Sequence, residues 1–157
     1  TICMPRKPAC GICPVRRACK AHMAGTQGEL PKKIPKKPKP TRLGIAYIAR
    51  RDDGAWLLET RPKKGLLGGM LGWPTTDWND KPTDQKPVLA DWKELDTQAL
   101  HTFTHFHLIL RIQTVGLPYD TLPSRGQFIP TNMFSPDAMP TVMQKAYNLA
   151  VATLQNV

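Results

Sequence analysis

The ordered apolar pattern of this chain begins near residue 44. Two short apolar runs, IAYIAR (45–50) and AWLLETR (55–61), flank the tetrapeptide RDDG, and this spacing predicts a β-hairpin. Residues 65–72 are glycine-rich and read as irregular. Residues 75–93 are polar, carry Pro82 and Pro87, and read as loops. The longest strand-like run covers 100–115, and a shorter one covers 126–129. Near the C-terminus, Ser135-Pro136 reads as a cap followed by proline, and Pro140 suits a first helical turn. Met139, Met143, Ala146, Ala150 and Leu154 then recur at helical spacing, as on a helix packed against a sheet. There is no internal repeat. The expectation is an α/β (α+β) domain over 44–157, with a mixed sheet and a packed helix.

Ahead of it, residues 30–43 read LPKKIPKKPKPTRL. Four prolines and five lysines between Pro31 and Pro40 remove amide donors and fix φ, which favours polyproline II. Ten such residues span roughly 30 Å at about 3.1 Å per residue. The segment is either a plain solvated linker or a linker that also contacts phosphates.

Charge sharpens this division. The chain has 157 residues and a formal net charge of +10. Residues 1–51 carry thirteen Lys and Arg against the single acid Glu29, whereas 52–157 carry nine against eleven acids. Positive charge concentrated in one third of a chain attracts polyanions, nucleic acid first among them. The sequence has no basic amphipathic helix, no long apolar run and no signal-peptide pattern, which argues against a membrane partner and against secretion.

All four cysteines fall within the first 19 residues, spaced Cys3-x6-Cys10-x2-Cys13-x5-Cys19. Disulfide frameworks spread cysteines over the fold they staple, so this cluster reads as metal ligands in a reducing compartment. A zinc ion or a [4Fe–4S] cube would each take four thiolates. Zinc sites usually pair cysteines as two CxxC knuckles. Here only Cys10 and Cys13 pair, which favours the cube and leaves zinc as the substitute. Arg6, Lys7, Arg16 and Arg17 lie between the ligands, and Lys20 follows the last. They either meet DNA phosphates or offset the charge of the centre.

The x6, x2, x5 spacing resembles the iron–sulfur loop of the helix-hairpin-helix DNA glycosylases. RPKKGLLGGMLGWP (61–74) resembles the RPxxGLLGGLWEFP segment of MutY-type adenine glycosylases, and HTFTHFHL (101–108) their HxFSHxxL segment. The helix MPTVMQKAYNLAVATL is similar to their closing LPxLxRKAL helix. These likenesses run in order through nearly the whole chain. They imply the C-terminal part of an enzyme that removes adenine opposite 8-oxoguanine. Residues 1–29 would form its iron–sulfur loop, 30–43 its interdomain connector and 44–157 a Nudix-like domain. The family's catalytic carboxylates precede the cluster loop. An upstream portion is therefore expected, no catalytic residue is assigned here, and the fragment alone should be inactive. The resemblance further implies a monomer that acts on DNA in the cytoplasm. Phosphate contacts would come from Arg6, Lys7, Arg16, Arg17, Lys20, Lys36, Lys37 and Lys39.

A Nudix hydrolase needs a glutamate-rich metal-binding helix. This chain has only Glu29, Glu59 and Glu94, and Leu71 stands where the first motif glutamate would be. The domain therefore reads as a reader of bases. In the family the serine of the FSH triplet lies at the lesion, and the triplet here is Phe103-Thr104-His105. 8-Oxoguanine gains a carbonyl at C8 and a hydrogen on N7, and a hydroxyl can both donate and accept at that edge. Thr104 keeps the hydroxyl and adds a methyl, which narrows its rotamers. Phe103 either wedges near the unstacked base or packs in the core. His105 either meets phosphate or holds the loop. Gly72 stands where the family often has glutamate, which puts any side-chain role there in doubt.

Overall fold

The computed structural model describes residues 1–154 and divides into two compact units, Thr1–Pro38 and Lys39–Val157. No residue of the first unit is fully buried. It winds through 3-10 turns at Cys10–Ile12, Arg16–Ala18 and Gln27–Glu29 and one helical turn, α1 (Lys20–Met23). Elements this short do not persist in water without tertiary support.

The second unit is a mixed sheet with a helix across it. Its elements are β1 (Thr41–Arg51), β2 (Trp56–Thr60), β3 (Leu71–Gly72), β4 (Lys93–Thr102), β5 (His107–Leu117), β6 (Gln127–Ile129) and α2 (Thr141–Leu154). The strand order is β3-β2-β1-β5-β4, with β6 paired to β2. β1 and β5 run parallel from Thr41↔His107 to Arg51↔Leu117. As the central strand, β1 is covered on both faces, and Gly44–Ala49 is buried without interruption. β5 alternates buried and half-buried positions, as a strand with one core face does. α2 buries Val142, Met143, Ala146 and Ala150 against β4, β5 and β1. The Trp73 indole donates to the Met143 carbonyl at 3.0 Å and ties the helix to the sheet.

The hairpin of the two apolar runs forms as expected, with Arg50 opposite Trp56. The run over 100–115 does not form one strand. It is the end of β4 and most of β5, joined by a turn that the Phe103 N–H closes on the Phe106 carbonyl at 2.9 Å. Polar residues recur throughout that run, so the pair Thr104-His105 does not stand out as a break in its periodicity. β4 also reaches back through 94–99, which the sequence pattern left unassigned, to Lys93, the last residue of the stretch read as loops. It is an edge strand, mostly exposed, and needs no alternation. Pro136–Ala138 forms its own 3-10 turn, so the helix starts after Pro140 instead of at Ser135.

No helix follows β3. Residues 76–92 are irregular and anchored by side chains. The Tyr47 hydroxyl donates to Asp84 and accepts from the Gln85 N–H. Arg125 donates to Glu59 at 3.1 Å and to the carbonyls of Thr75 and Gln85 at 2.9 and 2.8 Å. Ser124 binds the Pro87 carbonyl through both its N–H and its hydroxyl, each at 2.8 Å.

Candidate nucleic-acid interface and cysteine cavity

The β4–β5 turn carries Phe103, Thr104 and His105 at the end of the sheet where β1 and β5 begin. Thr104 and His105 are exposed. Phe103 is half-buried. It lies 4.5 Å from His101, 4.9 Å from Phe106 and 5.8 Å from Trp78, nearly parallel to the indole at 29°. Core packing is thus its observed role, with part of the ring left uncovered. On the neighbouring strand, the Thr102 hydroxyl bonds His107 Nδ1 at 2.9 Å.

Cations surround this aromatic stack. Lys39 Nζ donates to the Phe103 carbonyl at 2.9 Å, which ties a lysine of the basic segment to the turn itself. The Arg42 guanidinium lies 4.4 Å over the Phe106 ring, and Arg61 lies 4.5 Å over Trp78. Arg61 also donates to the Leu66 carbonyl and to Thr75 Oγ1, each at 3.2 Å. Burial pushes its pKa down from the usual arginine value. Lys63 and Lys64 are exposed on the following loop. Burial, then the charge of Lys145, lowers the pKa of His101 and favours its neutral ring. At the opposite end of the sheet, where β1 and β5 finish, Asp52, Asp53 and Asp120 stand beside Arg50 and Arg51, and Arg51 pairs with Asp53 at 2.7 Å. The unit is therefore basic at the turn and nearly balanced in charge at the far end.

Gly72 lies buried on β3 opposite Glu59, and a β-carbon there would sit 3.3 Å from Met143 Cγ. The close approach of α2 accounts for glycine at this position.

In the first unit, Cys3, Cys10, Cys13 and Cys19 carry free thiols and line one cavity of about 370 Å³. Its other walls include Ile2, Met4, Pro8, Ala21, Leu30 and Pro31. Among the described residues, no three Cys, His, Asp or Glu side chains converge closely enough to share one metal ion. Arg6, Lys7, Arg17 and Lys20 are exposed on this loop, and Lys36 and Lys37 are exposed in the segment after it. Arg16 is exposed too, but its Nε donates to His22 Nε2 at 2.8 Å. His22 and Gln27 line the same cavity, and His22 Nδ1 and Gln27 Oε1 are buried without a hydrogen-bond partner.

Sequence reasoning did not find Trp78, Arg42, Arg61 or the Arg125 hub. Trp78 falls in a polar stretch with no periodicity, and only tertiary contacts bring it beneath Phe103. Arg61 was within reach, because it opens the RPKKG segment.

The NUDIX domain family model matches residues 45–149. Among curated proteins, human adenine DNA glycosylase is 24% identical over an alignment covering 95% of this chain and 38% of that protein. The mouse adenine DNA glycosylase is 20% identical, with 95% and 40% covered. The chain thus spans about two fifths of the length of these relatives. Among solved structures, the C-terminal domain of mouse MUTYH, in complex with human PCNA, superposes with a TM-score of 0.54 at 16% identity, covering 73% of this chain and 90% of that one. A MutT protein from Methanosarcina mazei Go1 superposes at 0.52 and 12% identity, covering 75% and 99%.

Proposed function

The chain belongs to the NUDIX domain family, and from that premise we propose that it is the DNA-engaging C-terminal part of a MutY-type adenine glycosylase. In this reading the domain inspects 8-oxoguanine opposite the target adenine. Base removal belongs to catalytic groups outside this chain. The observation that carries the proposal is the exposed Thr104 on a turn backed by stacked aromatics and ringed by Lys39, Arg42 and Arg61. Cations draw the phosphate backbone without regard to sequence, and a hydroxyl reads the altered base edge. The irregular 76–92 segment supports a reader over a hydrolase. It occupies the stretch after β3 without forming a helix that could present metal-binding glutamates.

The four cysteines fit a [4Fe–4S] cluster by donor type and by space. The cavity they share exceeds the roughly 30 Å³ of a water molecule more than tenfold. Thiolates spread around a cavity this large suit a cube better than a single zinc ion. Such a cluster would cross-link a unit that has no apolar core. It would hold Arg6, Lys7, Arg17 and Lys20 in fixed relation, so that little freedom is lost on binding DNA.

The test compares binding of this chain to duplexes carrying 8-oxoguanine:adenine and guanine:adenine. The wild type should prefer the first, Thr104→Ser should keep the preference, and Thr104→Ala should lose roughly 1–3 kcal/mol of it. Equal discrimination by all three proteins would remove Thr104 from the site. Iron and acid-labile sulfide of about four each per chain would support the cluster. Stoichiometric zinc in colourless protein would support a zinc-stabilised DNA-binding module instead.

A further inference from the structure

The wall of the cysteine cavity contains a hydrogen-bond donor with no acceptor. The Arg16 guanidinium has only donors, so at 2.8 Å its Nε–H requires His22 Nε2 to be an acceptor. A ring that accepts at Nε2 carries its proton on Nδ1. This nitrogen is buried and has no partner among the described residues. An unmet N–H in an apolar wall is destabilising, because its lost hydration is not replaced. Burying one beside four sulfurs therefore calls for an acceptor inside the cavity. Gln27 Oε1 is the second unmet atom of the same wall. Rotating that amide by half a turn would present N–H groups there instead.

We propose that His22, oriented by Arg16, donates its Nδ1–H to a sulfur of the iron–sulfur centre, with Gln27 as a second donor. The inference rests on the cluster reading above and deepens it. Reduction adds negative charge to the sulfurs, and an N–H aimed at one stabilises the reduced form more than the oxidised form. Hydrogen bonds to sulfur are among the levers that set cluster potentials. Arg16 is then a positioning residue for the histidine, and its Nε is engaged in that role.

His22 is the sole histidine between Thr1 and Pro38, which makes it a spectroscopic label. The experiment uses the whole chain with 15N-histidine, first assayed for iron and sulfide and then reduced and examined by pulsed EPR. A 15N hyperfine coupling to the reduced cluster is expected in the wild type and should vanish in His22→Phe. The reduction potential should fall in His22→Phe and return toward the wild-type value in His22→Gln, which restores an N–H donor. Arg16→Ala should lower the potential in part. Loaded wild-type protein without the coupling would overturn the inference and leave the cluster reading standing, and this holds even if His22→Phe does not load. Wild-type protein without iron would overturn both.

Discussion

Tyr47 sits in the middle of β1, fully buried, with a hydroxyl that both gives and takes a hydrogen bond. Burial first, then the bond to Asp84, pushes its pKa from 10.0 up to about 12. A value raised on folding stabilises the native state fully below the unfolded value and is lost as the pH rises through the folded one. Thermal stability should therefore carry an alkaline component that declines between these two values. Tyr47→Phe should remove that component and cost about 1–2 kcal/mol, because the Gln85 N–H loses its acceptor. Thermal melts of both proteins across that range check it, and parallel curves would exclude Tyr47 as the source. This anchor was not legible in the sequence, where Tyr47 is one apolar letter in IAYIAR and Asp84 lies 37 residues away. Thr104 was legible, because its triplet is contiguous and its hydroxyl states its own chemistry.

Elements formed by neighbouring residues were the ones that sequence pattern could reveal. The β1–β2 hairpin and the short β6 stand where periodicity and turn residues put them, and α2 follows the apolar spacing but begins at Thr141, past the Ser135 cap. The segment between β3 and β4 was legible as loop but its anchoring was not, since its order comes from Tyr47, Ser124 and Arg125 reaching across the fold. That segment positions Trp78, and Trp78 supports Phe103. Gly44 permits the arrangement, because a β-carbon there would lie 2.6 Å from Trp78 Cδ1 and 3.0 Å from Leu110 Cδ1. Gly44→Ala should displace the indole and cost about 1–3 kcal/mol. If the stack orients the turn, the substitution also weakens preference for 8-oxoguanine while leaving total DNA affinity nearly unchanged. Denaturant titration and duplex binding separate the two effects, and unaltered discrimination would break the link from Trp78 to the turn. Arg125→Ala should speed amide exchange across 76–92 and leave β5 protected, as hydrogen-exchange mass spectrometry would read.

Charge asymmetry along the whole chain was plain from the sequence. The cavity formed by the cysteines was legible only as a spacing, because no local pattern says how a loop closes. Taken as a whole, the chain should bind DNA with strong salt dependence. Replacing Lys36, Lys37 and Lys39 by alanine should flatten the slope of log K against log salt by about 0.9 for each phosphate no longer neutralised. Lys39 differs from the other two, because it holds the Phe103 carbonyl. Lys39→Ala alone should therefore also reduce discrimination, whereas Lys36→Ala and Lys37→Ala should weaken binding evenly on every duplex. A salt slope unchanged in the triple variant would show that the 30–43 segment does not touch phosphate.

The unlike ends of the sheet have a kinetic consequence. A duplex pulls on Lys39, Arg42, Lys63 and Lys64 more strongly than on the far end, where Asp52, Asp53 and Asp120 offset Arg50 and Arg51, so the domain feels a torque as it nears the helix. Collisions then arrive pre-aligned, turn first, and fewer are wasted. Reversing the three aspartates to lysine would raise the pull yet spoil the alignment, so capture would quicken while lesion finding slowed.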